Sequence, residues 1–169
     1  MFFHLDVWNL LEIEDFNTFD EIIENNPNIV SSLRDNGNRT LLMNAVLMKN
    51  FDAFKHILLY GQDFTVVDEN NSNVFHWIPA SCPDELAVKM FDLINQKHIV
   101  QWKNVLNHQD KYKGTTLHTA AWHNKHQTIQ WMMQKRIDTQ IRDEDGRRPD
   151  EQNECDEETK KLIRRSPKY

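Results

Sequence analysis

Three histidines crowd the stretch "HTAAWHNKH": His118, His123 and His126. Imidazole is the commonest metal ligand and a frequent general base near neutral pH, so chemistry is sought here first. Two ligands on one helix face need an offset of three or four residues. The offsets from His118 are five and eight, and no neighbouring Cys or carboxylate completes a set. Cys82, with His76 upstream, is the other candidate, as a thiol nucleophile. It lies between Ser81 and Pro83 and has no base in a recognisable motif. No Gly-rich phosphate loop, paired-carboxylate motif or nucleophile elbow occurs. The expectation is a protein without catalysis, cofactor or metal. A metal- or thiol-dependent enzyme built on His118, His123 and Cys82 is the competing reading. On the first view His118 is structural, and His123 and His126 sit at an exposed helix end.

The elements that would hold these residues must come from a chain of 169 residues, which fits one compact domain. Its 39% hydrophobic content suffices for a core, and only 4 Gly and 5 Pro argue for helices over an all-β fold with many tight turns. A net charge of −6 speaks against non-specific nucleic-acid binding. Cys82 and Cys155, the only cysteines, make neither a disulfide framework nor a zinc cluster, which suggests a reducing compartment, cytoplasmic or nuclear. The opening "MFFHLDVWNLLEIEDF" has no basic n-region and does not read as a secretory signal. No run approaches a membrane span, and "RRSPKY" carries no lipidation signal. Ser166 in that stretch fits a proline-directed phosphorylation site or simply a frayed basic tail.

Four aspartates set a register. Asp35, Asp68, Asp110 and Asp143 are separated by 33, 42 and 33 residues. Eight residues after each come Met43, His76, His118 and Glu151, so a His recurs at one phase. "GTTLHTAA" follows Asp110, "NRTLLMNAV" follows Asp35, "SNVFHWI" follows Asp68 and "GRRPDEQ" follows Asp143.

Over roughly residues 35–165 this pattern resembles the ankyrin repeat: a turn with Gly, Thr-Pro-Leu-His, small Ala residues, a second helix and a Gly. Gly114 to Ala121 is the best match. The copy at Asp35 keeps Thr40, Leu42 and Ala45, with Gly61 at the family's later Gly. The copy at Asp143 keeps Gly146 and Pro149 and then turns polar. The copy at Asp68 keeps His76 but has Asn73 for Thr and Val74 for Pro. The resemblance implies an all-α solenoid of stacked helix-turn-helix units. About five units are expected, counting divergent caps. The divisions are 1–34 (N-terminal cap), 35–67, a lengthened 68–109, 110–142, 143–165 (C-terminal cap) and a tail at 166–169.

Local physics agrees. Thr40 and Thr115 stand where a hydroxyl caps a helix. Ala45, Ala120 and Ala121 permit close helix approach. "FDAFKHILLYG" and "QTIQWMMQKR" carry apolar residues at helical spacing, the first with Gly61 as its C-cap. Residues 1–33 hold Asp6, Glu12, Glu14, Asp15, Asp20, Glu21 and Glu24 without one Lys or Arg, yet "VWNLLEIEDFNTFDEIIENNPNIV" reads as helix, turn, helix closed by Asn26 and Pro27. "DEETKKLIRR" has acids first and bases last, as a helix dipole favours. Pro79 is expected to end or distort its helix early. Pro83 opens the next one, and the extra residues are expected in "NQKHIVQWKNVLNHQ".

In the family, partners dock on the inner helices and turn tips. That implies a docking face of Asn38, Leu47, Met48, Glu69, Trp77, Lys111, Tyr112, Trp122 and His123, with Thr40, His76, Thr115 and His118 as structural parts. Large apolar groups such as Met48, Trp77 and Trp122 suit interface anchors, or else fill irregular gaps in the fold. The expected function is non-catalytic protein–protein interaction as a regulatory subunit, inhibitor or adaptor. The protein would be a monomer or one subunit of a hetero-complex, with no nucleic acid or membrane. Architecture alone resembles inhibitors or regulatory subunits of cell-cycle kinases, and the lengthened unit resembles inhibitors of Rel-type transcription factors. A structural assembly factor is a further alternative.

Overall fold

The computed structural model describes residues 3–26 and 28–165, which leaves Pro27, Ser166 and the tail outside. Within the described residues the protein is all-α, with no strand. Helices α1 (Phe3–Glu12) and α2 (Phe16–Asn25) are followed by a one-turn α3 (Ile29–Ser32). Then come α4 (Leu41–Leu47), α5 (Phe51–Ile57), α6 (Val74–Ser81), α7 (Asp84–Lys97) and α8 (Trp102–Leu106). Helices α9 (Thr116–Trp122) and α10 (His126–Met133), a 3-10 turn (Pro149–Glu151) and α11 (Glu157–Arg164) complete the order.

Most of these helices have seven or eight residues, too few to persist alone in water, so packing must hold them. They pack in two rows. In one, α4 lies on α6, α6 on α9, and α9 on the 3-10 turn; in the other, α5 lies on α7, α7 on α10, and α10 on α11. Ala45, Ala120 and Ala121 are fully buried in the first row, where a larger side chain would hold neighbours apart. Side chains close the helix starts. Thr40 accepts from the Met43 amide at 3.2 Å, Asn50 from Ala53 at 2.8 Å, and Asp156 from Thr159 at 2.7 Å.

The turn inside three helix pairs is the same. Glu14, Lys49 and Asn124 take left-handed φ of 59°, 57° and 50°. The next amide reaches back to close the preceding helix: Asp15 to Leu10, Asn50 to Ala45, Lys125 to Ala120. The pair α6–α7 departs from this, running through Cys82 and Pro83 with no left-handed residue.

Three expectations need correction. Pro79 does not end its helix early: α6 runs on to Ser81 and is a residue longer than α4 or α9. Pro79 costs one helix bond, but Val74, Phe75, Ile78 and Pro79 are buried, and that burial between α4 and α9 outweighs the loss. Gly61 is not a C-cap. Helix α5 ends at Ile57 and is closed by the Leu58, Leu59 and Tyr60 amides; a Cβ at Gly61 would meet nothing. The added length is not confined to the loop after α7. Helix α7 itself has 14 residues against 7 in α5 and 8 in α10. After it, α8 inserts Trp102 among Phe75, Phe91 and Trp131, with ring centroids 5.4, 6.3 and 4.8 Å away. The insertion therefore builds core.

Candidate functional site: a row of aspartate turns and the grooves beside it

Each of the four aspartates folds its own turn. One carboxylate oxygen accepts the amides two and four residues on: Gly37 and Arg39, Asn70 and Ser72, Tyr112 and Gly114, Asp145 and Arg147. The residue three on is left-handed in every case: Asn38, Asn71, Lys113 and Gly146. The turns are then stitched together. Glu69 donates to Gly37, Lys111 to Asn70, and Glu144 to Tyr112, all backbone to backbone at 2.8–3.1 Å.

The second carboxylate oxygen is filled from nine residues on. Asn44 Nδ2 reaches Asp35 at 3.0 Å, Trp77 Nε1 reaches Asp68 at 2.9 Å, and Gln152 Nε2 reaches Asp143 at 2.7 Å. Burial alone would raise the Asp35 carboxyl, but bonds from Arg39, Asn44 and Gly37 hold it below its ordinary value. Asp143 is likewise held low against burial by Gln152 and the Arg147 amide.

His118 ties its helix to the next turn, and His76 stands at the same phase one repeat earlier. His118 Nδ1 accepts the Thr115 amide at 3.0 Å, so its proton sits on Nε2, which donates to the Arg147 carbonyl at 3.1 Å. Burial lowers its pKa, which fits the neutral ring. His76 places Nδ1 2.8 Å from Asn73 Oδ1 and Nε2 3.3 Å from the Gly114 carbonyl. Burial pushes it down to about 4. Met43 takes the same phase in the first turn as a buried apolar group. His123 caps the end of α9, exposed, and His126 bonds Asp156 at 2.9 Å. Of the three histidines of "HTAAWHNKH", His118 and His126 thus serve separate side-chain contacts and His123 ends α9 through its backbone, and among the described residues no three His, Cys, Asp or Glu side chains gather as a metal set. Both thiols are buried, which pushes Cys82 and Cys155 up to about 11, unsuited to a nucleophile.

Five of the nine residues read as a docking face, Trp77, Lys111, Tyr112, Trp122 and His123, line two grooves. One groove of about 560 Å³ is lined by Tyr112, Trp122, His123 and residues of the Asp143 turn. A second of about 250 Å³ holds Trp77, Ala80, Lys111, Tyr112 and Thr119. Met48, Tyr112 and Trp122 are exposed, as are Asn38 and Glu69, while Leu47 is half-buried. Three of the set already have internal partners. Asn38 donates to the Val67 carbonyl, Lys111 bonds Asn70 and lies over the Tyr112 ring, and Trp77 is half-buried on Asp68 under Arg39.

Sequence reading missed the polar joint between α2 and α5. Asp20 accepts from the Tyr60 hydroxyl and from His56 Nε2, while Phe16 stacks on His56 at 4.4 Å. These partners are 36 and 40 residues from Asp20 and share no repeat phase, so no local pattern announces them. No protein-family model matches the sequence, and no curated protein matches it either. Among the described residues no helix is long and apolar enough to cross a membrane.

Proposed function

We propose that this chain is a small ankyrin-repeat solenoid that binds another protein without catalysis, as an inhibitor, adaptor or regulatory subunit. The fourfold turn, with its constant carboxylate contacts and turn-to-turn amide bonds, supports the repeat reading. The observation that carries the binding reading is the exposure of Met48, Tyr112 and Trp122 on the row of turns and first helices, two of them walling a groove of about 560 Å³. Large exposed side chains beside a groove are the usual anchors of a protein interface. A cytoplasmic or nuclear partner, a kinase or a transcription factor, suits the two unpaired thiols. The competing enzyme reading is weakened by the buried thiols and by the engagement of both His118 nitrogens.

The test is affinity purification followed by mass spectrometry, with wild type compared with Trp122→Ala and Met48→Ala. Partner recovery should fall in both variants while melting temperature holds. Full recovery with both variants folded would place the binding face elsewhere.

A further inference from the structure

One turn of the four is left open. At Asp35, Asp68 and Asp143 the second carboxylate oxygen receives an N–H from the chain itself: from Asn44 and Arg39, from Trp77, and from Gln152. At Asp110 the corresponding positions cannot supply one. The residue four on is Gly114, which has no side chain, and the residue nine on is Thr119, whose hydroxyl turns to the Thr115 carbonyl. Among the described residues no hydrogen bond reaches Asp110 Oδ2, and a Cβ placed on Gly114 would come within 3.5 Å of that oxygen. Asp110 lines both grooves, and the exposed residues Tyr112 and Trp122 line the larger one with it.

The charge around it is one-sided. Asp143, Glu144 and Asp145 join Asp110 on the larger groove, against a single cation, Arg147, already paired with Asp145 at 3.1 Å. Burial lowers the pKa of His118 and of His123, so neither adds charge at neutral pH. Lys111, in the smaller groove, is occupied by Asn70. The groups that fill the equivalent oxygen elsewhere are planar N–H donors, and one is a guanidinium. Arg39 bonds Asp35 at 2.7 Å and lies 5.7 Å over the Trp77 ring, an internal miniature of carboxylate, guanidinium and indole.

We propose that the Asp110 turn is a receptor for one arginine side chain of the partner protein. The guanidinium takes the donor place left empty at Asp110 Oδ2 and packs flat on Trp122, the Tyr112 ring being already covered by Lys111. Arginine fits better than lysine because its planar fork both pairs with a carboxylate and stacks on an aromatic face. The inference rests on the protein-binding reading and gives it a chemistry: a partner segment presenting arginine.

The probe is the pentapeptide acetyl-Gly-Gly-Arg-Gly-Gly-amide, titrated into the isotope-labelled full chain and followed by NMR, beside versions carrying lysine or citrulline. The Tyr112 and Gly114 amides, which donate to Asp110, and the Trp122 indole should shift saturably with the arginine peptide. A single side chain should bind in about the millimolar range, with lysine weaker and citrulline inactive. Thr119→Gln installs the donor that Gln152 provides in the next turn. It should cut arginine affinity about tenfold or more while the melting temperature holds or rises. Asp110→Asn, which keeps the turn-forming oxygen, should also abolish binding. Equal shifts with citrulline, unchanged affinity in folded Thr119→Gln, or no saturable shift at these resonances would overturn the proposal. The two readings fail separately. A partner lost with Trp122→Ala but retained by Thr119→Gln keeps the docking face and removes the arginine slot.

Discussion

His76 and His118 stand at one phase of the register, yet their ring nitrogens meet opposite neighbours. Around His118 one side offers a donor, the Thr115 amide, and the other an acceptor, the Arg147 carbonyl, which a neutral imidazole satisfies completely. Around His76 both sides offer acceptors, Asn73 Oδ1 and the Gly114 carbonyl. The orientation of Asn73 is fixed by its own partners: its oxygen accepts from the Phe75 amide and its nitrogen donates to the Val105 carbonyl. Neutral His76 therefore protonates Nδ1 and faces Gly114 with a lone pair, at the longer distance of 3.3 Å. Exchanging the capping Thr for Asn inverts the tautomer. A repeat can keep its residue and change its proton.

Acid should break this pair first at His76. Its folded pKa, about 4, lies below the unfolded value of about 6.5, so the unfolded chain takes up the proton at the higher pH. Stability from this group is fully present above about pH 6.5 and is lost as pH falls toward 4, by up to about 3 kcal/mol. His118, also lowered by burial, adds in the same direction. Asp35 and Asp143, held below their ordinary value, lose their contribution only at still lower pH. Urea midpoints at pH 7 and 4.5 measure the slope, and His76→Gln should flatten it. An unchanged slope in that variant would assign the acid sensitivity elsewhere.

The second contrast is between His118 and Glu151, at the same phase of consecutive turns. Both accept the backbone amide at the start of their own helical segment, Thr115 and Arg148 respectively, at 3.0 and 2.9 Å. His118 is buried and also bridges to the next turn, whereas Glu151 is solvated. His118→Ala strands the buried Thr115 amide and the half-buried Arg147 carbonyl and should cost about 2–3 kcal/mol. Glu151→Ala, with water ready to replace it, should move the unfolding midpoint much less. Equal shifts would mean that the inter-turn bond adds nothing.

How much of this was legible follows from what recurs. The four aspartates are local signals with a fixed period, and each folds its turn through the same hydrogen bonds, whereas the threonines and the shared His phase recur with different partners from turn to turn. Composition argued only against an all-β fold with many tight turns, and the all-α class was what the repeat resemblance implied. Trp77 was legible only as a choice between anchor and filler. Its indole is instead the donor that Asn44 and Gln152 supply elsewhere, a chemical equivalence that residue type conceals. The aromatic cluster around Trp102 and the Asp20 joint depend on pairs tens of residues apart outside the period. Pro79 misled because propensity counts the lost bond and omits the burial that offsets it.

The smallest contrast concerns two left-handed residues at one turn position, Lys49 and Asn124. A left-handed backbone costs an L-residue about 1–2 kcal/mol, and glycine escapes most of that while losing more chain entropy on folding. Lys49 is exposed on a φ of 57° and among the described residues no hydrogen bond holds its side chain, so Lys49→Gly should stabilise the protein by about 0.5–1 kcal/mol. Asn124, at φ 50°, is chemically occupied. Its Nδ2 donates to the Glu154 carbonyl at 2.8 Å, and its Oδ1 accepts from the Asp156 amide and the Thr159 hydroxyl, both at 2.9 Å. The same change there exposes three groups of the last helical segment and should destabilise by about 1–2 kcal/mol. Thermal melts of the two glycine variants should therefore move in opposite directions. Movement in the same direction would show that backbone strain, and not the Asn124 side chain, decides the position.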